Sequence, residues 1–202
     1  MDQNQIPASV ATEFVRRPRL EFAYPRISGL ADSAIQARIN QAIVNLMNRL
    51  IGESGYHENP QTDVLGTYAV KTNERGVLSL ALTIYWYSGG AHGMTVIRAL
   101  TFETDTGKEY QLRELFKPGS DYVRELSGIV AGQIQARGIE LLEPFQSIRP
   151  DQDFYIADKC LVIYFQLYEI AAYVFGILYF PISVYQIRGI INEDGPLGRM
   201  LY

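Results

Sequence analysis

From Asp32 to Ile51 apolar residues return at spacings of three and four: Ile35, Ile39, Ala42, Ile43, Leu46, Met47 and Leu50. That is the period of one face of an α-helix. Asp32 or Ser33 can accept from the first-turn amides as N-cap, and Gly52 is placed to end the helix in a left-handed turn. A thinner stripe, Val123, Leu126, Val130 and Ile134, predicts a second helix over about 120–137. Ser120 or Asp121 would cap it and Gly138 would stop it. Gly128 and Gly132 weaken it, so it is expected to pack at a sheet's edge.

Period-two alternation marks the strands. Leu20, Phe22 and Tyr24 share one face of 19–26. Residues 66–72 and 77–87 form a hairpin around Asn73-Glu74-Arg75-Gly76. In its second arm Leu78, Leu80, Leu82, Ile84 and Trp86 face one way, and Ser79, Ala81, Thr83, Tyr85 and Tyr87 the other. Residues 94–103 supply a further strand, closed by the turn Asp105-Thr106-Gly107-Lys108. Strands are expected at 154–156 and 160–168, and a short helix at 182–191 after Pro181. The fold class is therefore α+β: antiparallel sheets with two main helices packed on them, in two small, closely packed subdomains. Residues 1–18 read as a polar lead-in, 19–90 as an N-terminal α+β part, 91–192 as a C-terminal α+β part, and 193–202 as a tail.

Composition narrows the function classes. A net charge of −4 and a pI near 5.3 argue against a phosphate-backbone binder, so no nucleic-acid partner is expected. Fourteen tyrosines and nine phenylalanines point to packed sheet faces or to an aromatic binding platform. The single cysteine, Cys160, excludes an intramolecular disulfide and a cysteine-based zinc site, and its apolar surroundings predict a buried thiol. The N-terminus lacks a basic start followed by an apolar run, and no apolar stretch approaches the length of a spanning helix. The expectation is no signal peptide and no membrane insertion, so the chain as written reads as cytoplasmic or spore-associated while its compartment stays open.

No nucleophile elbow, Walker loop or dinucleotide fingerprint is present. Asp151-Gln152-Asp153 offers too few ligands for a hard cation and reads as a solvated turn. With His57 and His92 the only histidines, no metal site and no cofactor are expected. The distinctive local chemistry is Ser88-Gly89-Gly90-Ala91-His92-Gly93. Its glycines allow positive φ and close approach by another chain or a ligand, and the His92 imidazole could meet a glycan hydroxyl, act as a general base, or tie down its own turn. Glu169, an acid inside a long aromatic and aliphatic run, demands a partner if buried. The candidate ligand-binding residues are Tyr87, Ser88, Gly89, Gly90, His92 and Glu169. No catalytic residue is assigned.

Several segments together resemble a known family. They are Tyr24-Pro25, Ser28-Gly29-Leu30, Ile39-Asn40, Ser88 to Gly93, Thr101-Phe102 with Thr106-Gly107-Lys108, Leu115-Phe116, and Tyr164 to Ile170 with Gly176 and Pro181-Ile182. Over roughly residues 20–190 the chain is similar to the paired domains of unknown function numbered 4163 and 3298. Such domains occur in the extracellular part of a lysozyme-sensing anti-sigma factor and ahead of a peptidoglycan deacetylase domain. The resemblance implies a two-part α+β fold, a Gram-positive source, and recognition of peptidoglycan or a lysozyme-like protein without catalysis. Two rival readings stand beside it. One is a small hydrolase with His92 and Glu169 as an acid–base pair, and the other a spore or envelope assembly protein.

Overall fold

The computed structural model describes residues 6–202. The chain divides into two compact units, the first ending at Glu109 and the second running from Tyr110 to Tyr202. Both are α+β.

In the first unit five strands make one sheet in the order β1-β2-β3-β4-β5: β1 (Ser9–Arg17), β2 (Leu20–Ser28), β3 (Asp63–Glu74), β4 (Val77–Tyr87) and β5 (Met94–Glu103). Residues 1–5 of the expected lead-in lie outside the described residues. The rest is not a lead-in, because Ser9–Arg17 pairs residue for residue with β2. Its polar composition hid it: as an edge strand it needs few apolar residues. The partition between the units falls after Glu109 rather than at residues 90/91, since β5 pairs along its length with β4.

All pairs are antiparallel except β2 with β3, which run parallel through Leu20↔Val64, Glu21↔Leu65 and Phe22↔Gly66. That pairing needs a crossover, and α1 (Ser33–Glu53) supplies it. Asp32 caps α1, accepting from the amides of Ala34 and Ile35. The helix runs through Gly52 to Glu53, and Gly55 takes the positive φ instead. Ile39, Ile43, Leu46, Met47 and Leu50 bury against Phe22, Leu78, Leu80, Leu82 and Ile84. The Asn40 amide fastens helix to sheet by taking the Ile27 N–H and returning a bond to the Ile27 carbonyl, each at 2.8 Å. Gly66 belongs to the same core: a Cβ there would run into the buried Phe22 ring.

The second unit holds α2 (Tyr122–Ala136) and a three-stranded antiparallel sheet in the order β6-β7-β8: β6 (Phe154–Ala157), β7 (Cys160–Phe165) and β8 (Leu178–Ser183). Asp121 caps α2 through the Arg124 amide. From the helix, Gln133 and Arg137 donate to the outward carbonyls of Pro181 and Tyr179, 2.7 Å each, so side chains occupy the acceptors of the β8 edge. Pro181 sits at an outward edge position, where its missing N–H costs nothing.

The helix expected over 182–191 is absent. Leu178, Phe180 and Ile182 alternate inward opposite Phe165, Ile163 and Leu161, and consecutive turns follow. A four-residue helix, α3 (Pro196–Arg199), stands in the expected tail. Cys160, at the first position of β7, is half-exposed rather than buried.

Candidate functional site: a sheet face beside the glycine-rich turn

Strand alternation sends the even residues of β4 into the core and leaves Thr83, Tyr85 and Tyr87 on the other face. Register extends that face across the whole sheet. Arg16 lies opposite Glu21, Glu21 beside Leu65, Leu65 opposite Tyr85, and Tyr85 opposite Thr95. Leu65 is 58% exposed and Tyr85 40%, with Phe14 and Tyr87 also open. Arg16 pairs with Glu21 at 3.3 Å, and its guanidinium lies 4.2 Å from the Phe14 ring centroid. Open apolar side chains gathered on one sheet face make it a candidate interaction surface.

The glycine-rich turn between β4 and β5 borders this face and shapes it. Gly89 and Gly90 hold φ of 94° and 104°, a region that strongly favours glycine. Gly93 has a different role: any Cβ there would collide with the ring of Tyr85, so the missing side chain lets that ring lie against the turn. The Tyr87 hydroxyl donates to the Gly90 carbonyl at 2.9 Å. The Ser88 hydroxyl meets that of Thr62 at 2.9 Å, anchoring the turn to the loop before β3. His92 Nδ1 donates to the Gly93 carbonyl at 2.9 Å, which fixes the imidazole along the turn.

At the opposite border stands the β1–β2 hairpin, Arg16-Arg17-Pro18-Arg19. Arg19 takes a positive φ of 63°, a position more often filled by glycine or asparagine. Several contacts hold it there. Its carbonyl accepts from the Val64 amide at 2.8 Å. Its guanidinium reaches the Gln61 carbonyl and the Asp63 carboxylate. The neighbouring Pro18 carbonyl accepts from the Tyr56 hydroxyl at 2.7 Å. Between hairpin and Tyr85 lies an open groove of about 550 Å³.

Five of the six candidate residues, Tyr87, Ser88, Gly89, Gly90 and His92, thus share one turn at the edge of this face. Glu169 belongs to the second unit. Its carboxylate accepts from Arg149, from Gln152 Nε2 at 3.1 Å and from the Gln166 amide at 2.7 Å. Gln152 is not part of a solvated turn but buried, donating also to the Tyr164 carbonyl at 2.9 Å. Three donors therefore share the two oxygens of Glu169, and the clasp holds the base of a loop carrying exposed Tyr168, Val174 and Phe175. Sequence reasoning missed Tyr85, Leu65, Phe14 and the arginine hairpin. The alternation of β4 already put Tyr85 beside Tyr87, but nothing local gave the register that adds β1 and β3. Among the described residues no cluster of three or more His, Cys, Asp or Glu could hold a metal, and no helix is long and apolar enough to cross a membrane.

Known proteins divide along the same two parts. Residues 18–95 match the family described as Deacetylase PdaC, and residues 113–185 match the protein family of unknown function DUF3298. The chain is 26% identical over 174 residues to the anti-sigma-V factor RsiV of Bacillus subtilis, covering 78% of this chain and 60% of that protein. It is 21% identical over 172 residues to the peptidoglycan-N-acetylmuramic acid deacetylase PdaC of the same organism, covering 81% of this chain and 36% of that one. The chain thus spans less than two thirds of either relative's length. Two solved structures share the fold. A DUF3298 family protein from Pseudomonas aeruginosa has a TM-score of 0.71 at 14% identity, covering 98% of this chain and 97% of its own. A DUF3298 family member from Bacteroides fragilis has a TM-score of 0.67 at 13% identity, covering 96% and 95%. The chain is thus similar to two families in succession, the one described as Deacetylase PdaC over residues 18–95 and DUF3298 over residues 113–185, neither match spanning half of it.

Proposed function

We propose that this chain is a non-catalytic recognition module of the bacterial envelope that binds peptidoglycan or a lysozyme-like protein through the sheet face beside the glycine-rich turn. One observation carries the reading: Phe14, Leu65, Tyr85 and Tyr87 stand open on one face, and Gly93 and the Tyr87–Gly90 bond hold the two tyrosines in place. Pre-set aromatic rings lose little conformational freedom on binding. An envelope setting accords with a relative named for peptidoglycan, and replaces the cytoplasmic expectation drawn from the N-terminus. The acid–base reading of His92 and Glu169 gains nothing, because three donors already share the Glu169 carboxylate.

The test is co-sedimentation with insoluble peptidoglycan, run beside pull-down with lysozyme. Saturable binding to at least one is expected, reduced by Tyr87→Ala and by His92→Ala. Binding to neither, by a chain with an intact far-UV spectrum, would overturn the reading.

A further inference from the structure

The second unit carries an apolar outcrop of its own, and we propose that it docks a cationic amphipathic helix of a partner protein. The loop joining β7 to β8 leaves Tyr168 45%, Val174 86% and Phe175 37% exposed. Leu142, 54% exposed, stands beside it: its amide donates to the Ile170 carbonyl at 3.0 Å, and Leu141 bridges Ala171. Loop tips are ordinarily small and polar. Four open apolar side chains gathered from two segments make a candidate contact surface instead.

The loop holds these side chains out at a conformational cost. Tyr168 takes a φ of 63°, a left-handed value unfavourable for a bulky side chain. The next residue, Glu169, is pinned by Arg149, Gln152 and the Gln166 amide. The Tyr168 ring packs on that of Tyr173, with centroids 5.7 Å apart. The short turn Tyr173–Phe175, with Val174 at its middle, ends on Gly176 at a φ of 68°. A surface set in this way before its partner arrives loses little freedom on binding.

Charge selects the partner. Glu140 and Glu143 bracket Leu141-Leu142, and both are exposed. Neither pairs with a cation among the described residues. No lysine or arginine occurs over 138–148 or over 160–187. The outcrop is therefore apolar with an acidic rim. An anionic lipid surface, or a second copy of this acidic chain, would bring like charge to it. An amphipathic helix with Lys or Arg beside an apolar stripe meets both parts. Its stripe covers Val174 and Phe175 while its cations reach the two glutamates.

The test follows the fluorescence anisotropy of two labelled synthetic peptides as the full chain is added at low salt. One sets leucine and lysine at helical spacing, and the other replaces each lysine by glutamate. The lysine peptide is expected to bind about tenfold tighter, the worth of two exposed ion pairs. Val174→Ser should weaken it about tenfold, because one apolar contact is lost. Glu140→Gln combined with Glu143→Gln should weaken it about fivefold. Glu58→Gln, at an exposed acid of the first unit, should leave it unchanged. None of these variants should shift the thermal midpoint, since every replaced side chain is exposed. Equal binding of the two peptides, or full binding by Val174→Ser, overturns the proposal. An effect of Glu58→Gln as large as that at the rim overturns it too, because the attraction would then belong to the whole acidic chain. Binding to neutral phosphatidylcholine vesicles, or self-association in sedimentation, also overturns it where Val174→Ser abolishes that behaviour, and assigns the outcrop to lipid or to a second copy.

Discussion

At Gly66 the absence of a single carbon lets two strands meet. β2 and β3 run parallel there, and the fully buried ring of Phe22 occupies the space where a Cβ would project. The ring is fully buried within the first unit's core. Gly66→Ala should therefore destabilise the chain by about 1–3 kcal/mol, the usual cost of overpacking. Urea denaturation followed by fluorescence of Trp86, the only tryptophan, reads this directly, since that residue packs against the same core. An unchanged midpoint would show that Phe22 can move aside. Gly93 works by the same steric logic to another end: it sets the ring of Tyr85 at the surface.

At the scale of elements, the fold depends on side chains that satisfy backbone groups where regular pairing stops. Asn40 is the clearest case. It lies on α1, yet its amide exchanges two hydrogen bonds with the backbone of Ile27 near the end of β2. A side-chain amide thus completes the main-chain pairing that a neighbouring strand would otherwise provide. Asn40→Ala leaves both Ile27 groups to find water and should cost about 1–3 kcal/mol. Hydrogen exchange at the Ile27 amide is the sharper probe, because its protection should fall by more than that of core amides in β4. Gln133 and Arg137 do similar work for β8 from α2. The sequence made the two main helices and six of the eight described strands visible, including the full length of β4. It did not reveal β1, whose nine residues carry the charge and polarity suited to an edge. It misread 182–191 because Pro181 resembles a helix start, whereas β7 had already fixed Ile182 in a strand.

For the whole molecule, the balance of charge and burial makes a prediction about pH. Burial raises the pKa of Glu109, and Arg49 lowers it by less. A carboxyl whose folded pKa lies above its unfolded value holds its proton longer in the native state. Stability from this group is therefore fully present below the unfolded pKa and is lost as pH rises through the folded one. Glu109→Gln should raise the thermal midpoint at neutral pH and leave it unchanged at about pH 3, well below the ordinary glutamate value, where the carboxyl is protonated in both folded and unfolded chains. A shift of equal size at both pH values would show that the side chain acts through packing instead.

The sequence by itself determined the α+β class, the amphipathic α1, the strand faces of β4 and the family resemblance. Each of these is encoded by local period or by contiguous motif, which a linear reading can detect. It also found the glycine-rich turn, because clustered glycines signal unusual backbone wherever they occur. Only the tertiary structure decided which side chains that turn stands beside. The register of β1 through β4 sets Arg16, Glu21, Leu65 and Tyr85 in one row, although they come from positions up to 69 residues apart. The clasp on Glu169 depends on Arg149 and Gln152, 20 and 17 residues upstream. Pairings of that kind are set by strand registry and loop closure, which depend on the packing of the unit rather than on any local stretch of chain.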